Sequence, residues 1–282
     1  MKESKEIKKF WTWLVTVWGW EWLHCNYPTR FDTYWMWCGH NCSYCYARAL
    51  LDFRWLWRPN NPKFIDLKTA YKVIAGIPKW QVTRLWGMTD CFQPVEAIHW
   101  ITYNTLKVFN YYKKPYLIVT KSSLIWTDKY LEVLDKSLAH IQVTITCTDD
   151  EKALTYENAS KVSERIKTIE KLWSMWYDVQ IRLSPYIIPY VDVDVINNIK
   201  CDKIVVEFLR VNHRIKKRFD IDYSEYTLSE WGYQHLPLDK KIEYLSRIKK
   251  PQITVCEDVD EHYKYWKEHV NVNKDDCCNL SL

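Results

Sequence analysis

The chain has 282 residues with 40 Lys and Arg against 35 Asp and Glu, a net charge of +5, which permits a polyanionic partner without demanding one. A hydrophobic content of 48% supports the core of one large domain or two small ones and excludes a disordered or fibrous chain. Ten cysteines are too dilute here for a disulfide scaffold and no signal peptide is legible, so reduced, cytoplasmic, partly metal-ligating thiols are expected.

In chain order, the N-terminal run "MKESKEIKKFWTWLVTVWGWEWLHC" is apolar but short and interrupted by Glu21, which predicts no membrane span. The segment 33–47, "TYWMWCGHNCSYCYA", falls just after the first strand candidate and before a helix beginning near Tyr46. Strand patterns follow at 81–85, 116–120, 141–146, 179–183, 203–208 and 252–255, with helical patterns near 94–109, 127–136, 161–174, 192–199 and 239–247. Strand and helix alternating at this spacing predict right-handed parallel βαβ units. About six such units predict an α/β fold, a full or partial TIM-like barrel with its site at the C-terminal ends of the strands. The least regular stretch, 210–235, carries the basic run Arg210, Arg214, Lys216, Lys217 and Arg218. Such a run is a solvated face or a phosphate-contacting surface.

Tryptophan and glycine counts are both abnormal. With 17 Trp and only 5 Gly, the chain falls far short of the roughly 7% Gly of ordinary proteins. The tryptophans crowd glycine-like places: Trp18 and Trp20 flank Gly19, Trp86 precedes Gly87, Trp231 precedes Gly232, and Trp173 and Trp176 close a helical pattern. Turns and helix C-caps are where only glycine adopts positive φ cheaply. Many of these residues, Trp35 and Trp37 included, are therefore expected to be UGA codons that the source organism reads as glycine. Trp57 and Trp266 sit in well-formed contexts and read as genuine. A truly tryptophan-rich chain is the alternative.

Cys38, Cys42 and Cys45, spaced three and two residues apart, suit three corners of a cubic iron–sulfur cluster with one iron left without a protein ligand. The alternative is structural zinc in a non-catalytic binding module, with His40 or Cys25 as fourth ligand. Cys25, Cys256, Cys277 and Cys278 either gather into a second metal site or serve as small buried hydrophobes.

The run "CGHNCSYCYA", with aromatic Tyr44 before the third cysteine, resembles the radical S-adenosylmethionine signature C-x3-C-x-aromatic-C. Within that superfamily the chain resembles the spore photoproduct lyase branch and its DNA-repair-photolyase-like relatives. The resemblance rests on "RLWGMTDCFQPVE", "YLIVTKS", "VTITCTDDE", "ENASKVSERIKTIEKL" and "IRLSPYIIP", in order over roughly residues 30 to 210. It implies a partial (β/α)6 barrel of the radical SAM type, with an N-terminal segment 1–30, a core over 31–210 and a C-terminal extension, 211–282, that completes or caps the barrel.

It also implies a [4Fe-4S] cluster on Cys38, Cys42 and Cys45, whose open iron chelates S-adenosylmethionine. One electron from the cluster then cleaves the cofactor to methionine and a 5′-deoxyadenosyl radical, which abstracts hydrogen from a substrate. Electrons would come from a flavodoxin or ferredoxin, and nucleic acid is one substrate class. Trp86 and Gly87 stand in the place of the turn that binds the methionine amino group, with Asp90 as its acceptor or as a helix cap. Lys121 matches a lysine near the cofactor carboxylate. Arg182 and Ser184 reach its nucleoside or carboxylate, and Tyr44 packs on its adenine. Tyr46 matches a radical-relay tyrosine. The branch's hydrogen-donating cysteine is replaced here by Gly87, a departure that counts against true lyase activity, and Cys91 is the substitute donor to consider.

Overall fold

A computed structural model describes residues 13–16, 25–58, 63–85 and 87–280. The N-terminal apolar run up to residue 12, together with Trp18, Trp20 and Trp86, lies outside these residues. One eight-stranded sheet organises the chain: β1 (Leu14–Thr16), β2 (Thr29–Phe31), β3 (Thr83–Leu85), β4 (Tyr116–Thr120), β5 (Ala139–Ile145), β6 (Asp178–Tyr186), β7 (Lys203–Phe208) and β8 (Gln252–Val255). The spatial order is the chain order. β1 pairs antiparallel with β2, and every later neighbour is parallel.

Parallel strands need covered crossovers, and their β-branched sequences follow from burial on both faces. β4 and β5 are buried at every residue. Helices Ile101–Tyr111, Val162–Ser174, Val193–Asn198, Leu238–Leu245 and Asp260–His269 follow successive strands and pack their apolar stripes on the sheet. β1 and β8 do not pair with each other, so the barrel is open. The architecture is the expected α/β partial barrel, with β8 adding a seventh parallel strand from the C-terminal region and β2 lying across the 30/31 boundary.

Two expected helices are altered. The pattern over 94–109 is divided into Glu96–His99 and Ile101–Tyr111 by Trp100, whose φ is 54°. The one near 127–136 shortens to Asp128–Leu131 behind a 3-10 turn, Ser123–Trp126, because the Asp135 carboxylate caps a turn at Ser137. The irregular 210–235 stretch holds one helical turn, His213–Lys216, and a hairpin, Leu228–Glu230 with Tyr233–His235.

Trp55, Trp100, Trp176 and Trp231 all have left-handed backbones, with φ of 58°, 54°, 63° and 49°. Trp176 follows the C-cap of helix Val162–Ser174 and Trp231 shares a two-residue hairpin turn with Gly232. These places select glycine; the indoles of Trp55, Trp176 and Trp231 project into solvent, while that of Trp100 is half-exposed and donates to Ala97 O. By contrast Trp266 is fully buried, its Nε1 donating to Glu257 at 3.3 Å, and Trp57 lies under the Arg48 guanidinium. Trp35 is a buried strand residue and Trp37 is half-buried, neither with positive φ.

The C-terminal tail crosses the open side of the barrel. Asn271 and Asn279 bond β8 through Val255 and Gln252, while Asn26 and Tyr27, just before β2, bond Asp275 and Asp276. Cys278 and Leu280 pack with Tyr27, Val82, Leu117 and Val119. Among the described residues no helix is long and apolar enough to cross a membrane.

Candidate functional site

The loop from Trp37 to Cys45 leaves the C-terminal end of the β2 region and returns into helix Tyr46–Phe53, whose N-cap is Cys45 with its Sγ accepting from Arg48 N at 3.4 Å. Backbone bonds from Asn41 N to Cys38 O and from Cys45 N to Cys42 O fold it into two tight turns. Its underside is fastened to the segment after β5. Ser43 N bonds Tyr156 O at 2.8 Å, Asn158 N bonds His40 O at 2.6 Å, and Asn158 Nδ2 bonds Gly39 O at 3.1 Å.

At the centre of that junction lies Glu157, fully buried and ion-paired with Arg165 from the following helix. Its carboxylate also accepts from the Tyr44 hydroxyl at 2.5 Å and from Thr146 Oγ1. Burial alone would raise its pKa, yet Arg165 and Lys121 hold it below the usual range.

A cavity opens above the strand ends. Cys38, Cys42, Cys45, Tyr44, Tyr46, Asp90, Lys121, Arg182 and Ser184 all line it. Lys121 Nζ sits 5.7 Å over the Tyr44 ring, and the Arg210 guanidinium sits 5.0 Å from that of Tyr46. Gly87 lies just outside the lining and Met88, Thr89 and Asp90 form that wall. Cys91 is not brought to the cavity. It is buried in the core, its carbonyl accepting from Thr102 Oγ1, so among the described residues the cavity's only thiols are those of Cys38, Cys42 and Cys45.

The acidic residues act on the protein. Asp90 accepts from Phe92 N, Lys121 N and Thr120 Oγ1 at 2.8 to 2.9 Å and faces His40 Nε2 at 3.1 Å. Burial would raise its pKa, but His40 and these donors lower it. Asp90 thus ties the cysteine loop to β4; it does not cap the following helix, whose N-cap is Val95 without a side-chain bond.

Arg182 and Ser184 both bond Glu207, at 2.6 and 2.8 Å, and Arg182 also bonds Gln142. Asp32 accepts from the backbone N–H groups of Gly87, Met88 and Thr89, and any Cβ at Gly87 would collide with its carboxylate. Sequence reasoning missed Asp32 and Glu207, which lie in no motif. Glu157 and Arg165 were visible within "ENASKVSERI" without a role. Of the basic run, Arg210 pairs with Asp258 and Arg218 with Asp52.

The donor set fits a cluster better than a zinc ion. A tetrahedral zinc–thiolate site needs ligand sulfurs roughly 4 Å apart, and the described residues that converge that closely are His235, Glu257 and Asp258, not the cysteine loop. Neither candidate for a fourth zinc ligand is available. His40 turns its ring nitrogens to Asn158 O and Asp90, and Cys25 lines another cavity. Burial pushes the Cys38 thiol up to about 12 and raises Cys42 as well, and iron ligation would reverse this by holding both as thiolates.

The open, parallel α/β barrel is a fold that this chain shares with solved structures. Solved structures of spore photoproduct lyase share it: a double mutant with bound AdoMet and dinucleoside spore photoproduct matches at TM-score 0.54 and 13% identity, over 85% of this chain and 74% of that one. A complex with the dinucleoside photoproduct gives TM-score 0.52 and 15% identity over 77% and 73% of the two chains. A tyrosine-to-phenylalanine mutant gives 0.54 and 14% over the same shares. No protein-family profile matches the chain, and no curated protein is similar to it in sequence.

Proposed function

We propose that the chain is a radical S-adenosylmethionine enzyme that holds a [4Fe-4S] cluster on Cys38, Cys42 and Cys45 and binds S-adenosylmethionine in the adjoining cavity. The observation that carries this is the shared lining: three separated thiols and the cations Lys121 and Arg182 face one cavity at the strand ends of this fold. When bound, the cluster supplies the electron that splits the cofactor's sulfonium into methionine and a 5′-deoxyadenosyl radical.

The chain's own groups do the positioning. Lys121 offers a point cation to the cofactor carboxylate, and Tyr44, its hydroxyl held by Glu157, offers an apolar ring face to the adenine. Asp32 keeps the 87–89 backbone in a fixed curve along the cavity wall, the place expected to meet the methionine amino group. Tyr46, under Arg210, is the side chain at hand for a radical relay. Electron supply is assigned to a flavodoxin or ferredoxin in the cytoplasm.

Three of the structural neighbours hold a dinucleoside photoproduct, which makes a nucleic-acid lesion the first substrate class to test. With Gly87 in place of a cysteine and Cys91 outside the cavity, the hydrogen atom is not returned by a thiol, and spore photoproduct lyase turnover is not expected.

Anaerobic reconstitution with iron and sulfide, followed by reduction in the presence of S-adenosylmethionine, tests the proposal. A brown protein that forms 5′-deoxyadenosine, with formation abolished in Cys42→Ala, is the expected result. A colourless protein that takes up zinc and forms no product would overturn it in favour of a structural metal module.

A further inference from the structure

Outside the cysteine loop, four more thiols come together at the open seam of the barrel. Cys25 arrives on the segment leading into β2, Cys256 directly follows β8, and Cys277 and Cys278 lie in the tail that bridges the two edges. Cys25 and Cys277 pack against the small apolar cluster that holds Cys278, and Cys256 shares a cavity lining with both. Three segments distant in sequence therefore bring their cysteines to one place. All four are free thiols.

Cys25, Cys256 and Cys277 line one cavity together with Arg84, Arg210 and the carboxylates of Glu207, Glu257 and Asp258. Glu207, Phe208 and Arg210 also line the S-adenosylmethionine cavity, so the two sites share a wall.

We infer that Cys25, Cys256, Cys277 and Cys278 hold a second iron–sulfur cluster, which staples the tail across the barrel seam. Iron–sulfur is preferred to a single zinc ion for two reasons. These sulfurs are not among the described His, Cys, Asp and Glu groups whose ligand atoms lie close enough together for a one-ion site. Cys277 and Cys278 are also adjacent, and neighbouring residues reach two irons of a cluster more readily than two corners of one small tetrahedron. This site does not depend on the function proposed for the first.

The experiment separates the two sites. A Cys38→Ala, Cys42→Ala, Cys45→Ala triple variant of the full chain is reconstituted anaerobically with iron and sulfide and assayed for both. It is expected to retain about four irons and a cluster absorption band, and to lose them on further change of Cys277→Ser and Cys278→Ser. Should the triple variant not fold, the Cys256→Ser, Cys277→Ser variant of the otherwise intact chain is expected to fall from about eight irons to about four, with its tail cleaved faster by protease. An iron-free triple variant that folds, uptake of zinc in place of iron, or unchanged iron in the Cys256→Ser, Cys277→Ser variant would overturn the assignment. Failure of 5′-deoxyadenosine formation alone would bear on the first site.

Discussion

At Trp176 the backbone φ is 63°, and at Trp231 it is 49°. A side chain in this region crowds its Cβ against the following carbonyl at a cost of roughly 1–2 kcal/mol, which glycine does not incur. Both indoles are more than three-quarters exposed, so little burial offsets the strain. Trp176→Gly and Trp231→Gly should each raise the unfolding free energy by about 1 kcal/mol, measured by urea denaturation, and Trp266→Gly should lower it by roughly 3–5 kcal/mol. The coding DNA is expected to carry UGA at the first two positions and UGG at the third. Loss of stability in the two exposed variants, or UGG at Trp176, would argue for a tryptophan-rich protein. The imbalance between the two residue types was legible in composition; which positions are strained was decided by dihedral angles that no count contains.

Among the elements, the junction between the cysteine loop and helix Val162–Ser174 is the most demanding. Glu157 and Arg165 are both fully buried, and they pair there while Glu157 also holds Tyr44. Removing one partner of a buried pair leaves an uncompensated charge, so Arg165→Met should cost about 3–5 kcal/mol of stability and weaken iron retention by the loop. The sign of the pH dependence follows from the lowered pKa of Glu157. Its folded value lies below the ordinary 4.5, so its contribution is present above that pH and is lost as pH falls through the folded value. Acid titration of unfolding free energy should show this slope in the wild type and a flatter one in Glu157→Gln. The motif carrying both residues could be quoted from the sequence, but their partnership could not. It depends on a helix start folding back over a loop more than one hundred residues earlier.

At the scale of the molecule, the barrel leaves β1 and β8 unpaired with each other, and the tail after Val270 covers that opening. Its Cys278 and Leu280 shield Tyr27, Val82, Leu117 and Val119. Deleting residues 271–282 should expose this apolar face and cost on the order of 3 kcal/mol or more, seen as a lower denaturation midpoint and new binding of a hydrophobic dye. An unchanged midpoint would mean the barrel is stable without its strap.

The sequence by itself determined the order of strands and helices, the parallel barrel class and the cysteine loop, because these are written in short-range periodicity and in the spacing of a few residue types. β4, β7 and β8 begin and end where their β-branched runs do. Tertiary structure alone decided the rest. It placed Cys91 in the core and away from the cavity, committed Asp90 to backbone donors, brought Asp32 under Gly87 and Glu207 under Arg182, and drew Cys25 to Cys256 and the tail. Side-chain partners in such a barrel come from strands and loops dozens of residues apart, and local pattern records only which face each residue turns inward, never whom it meets there.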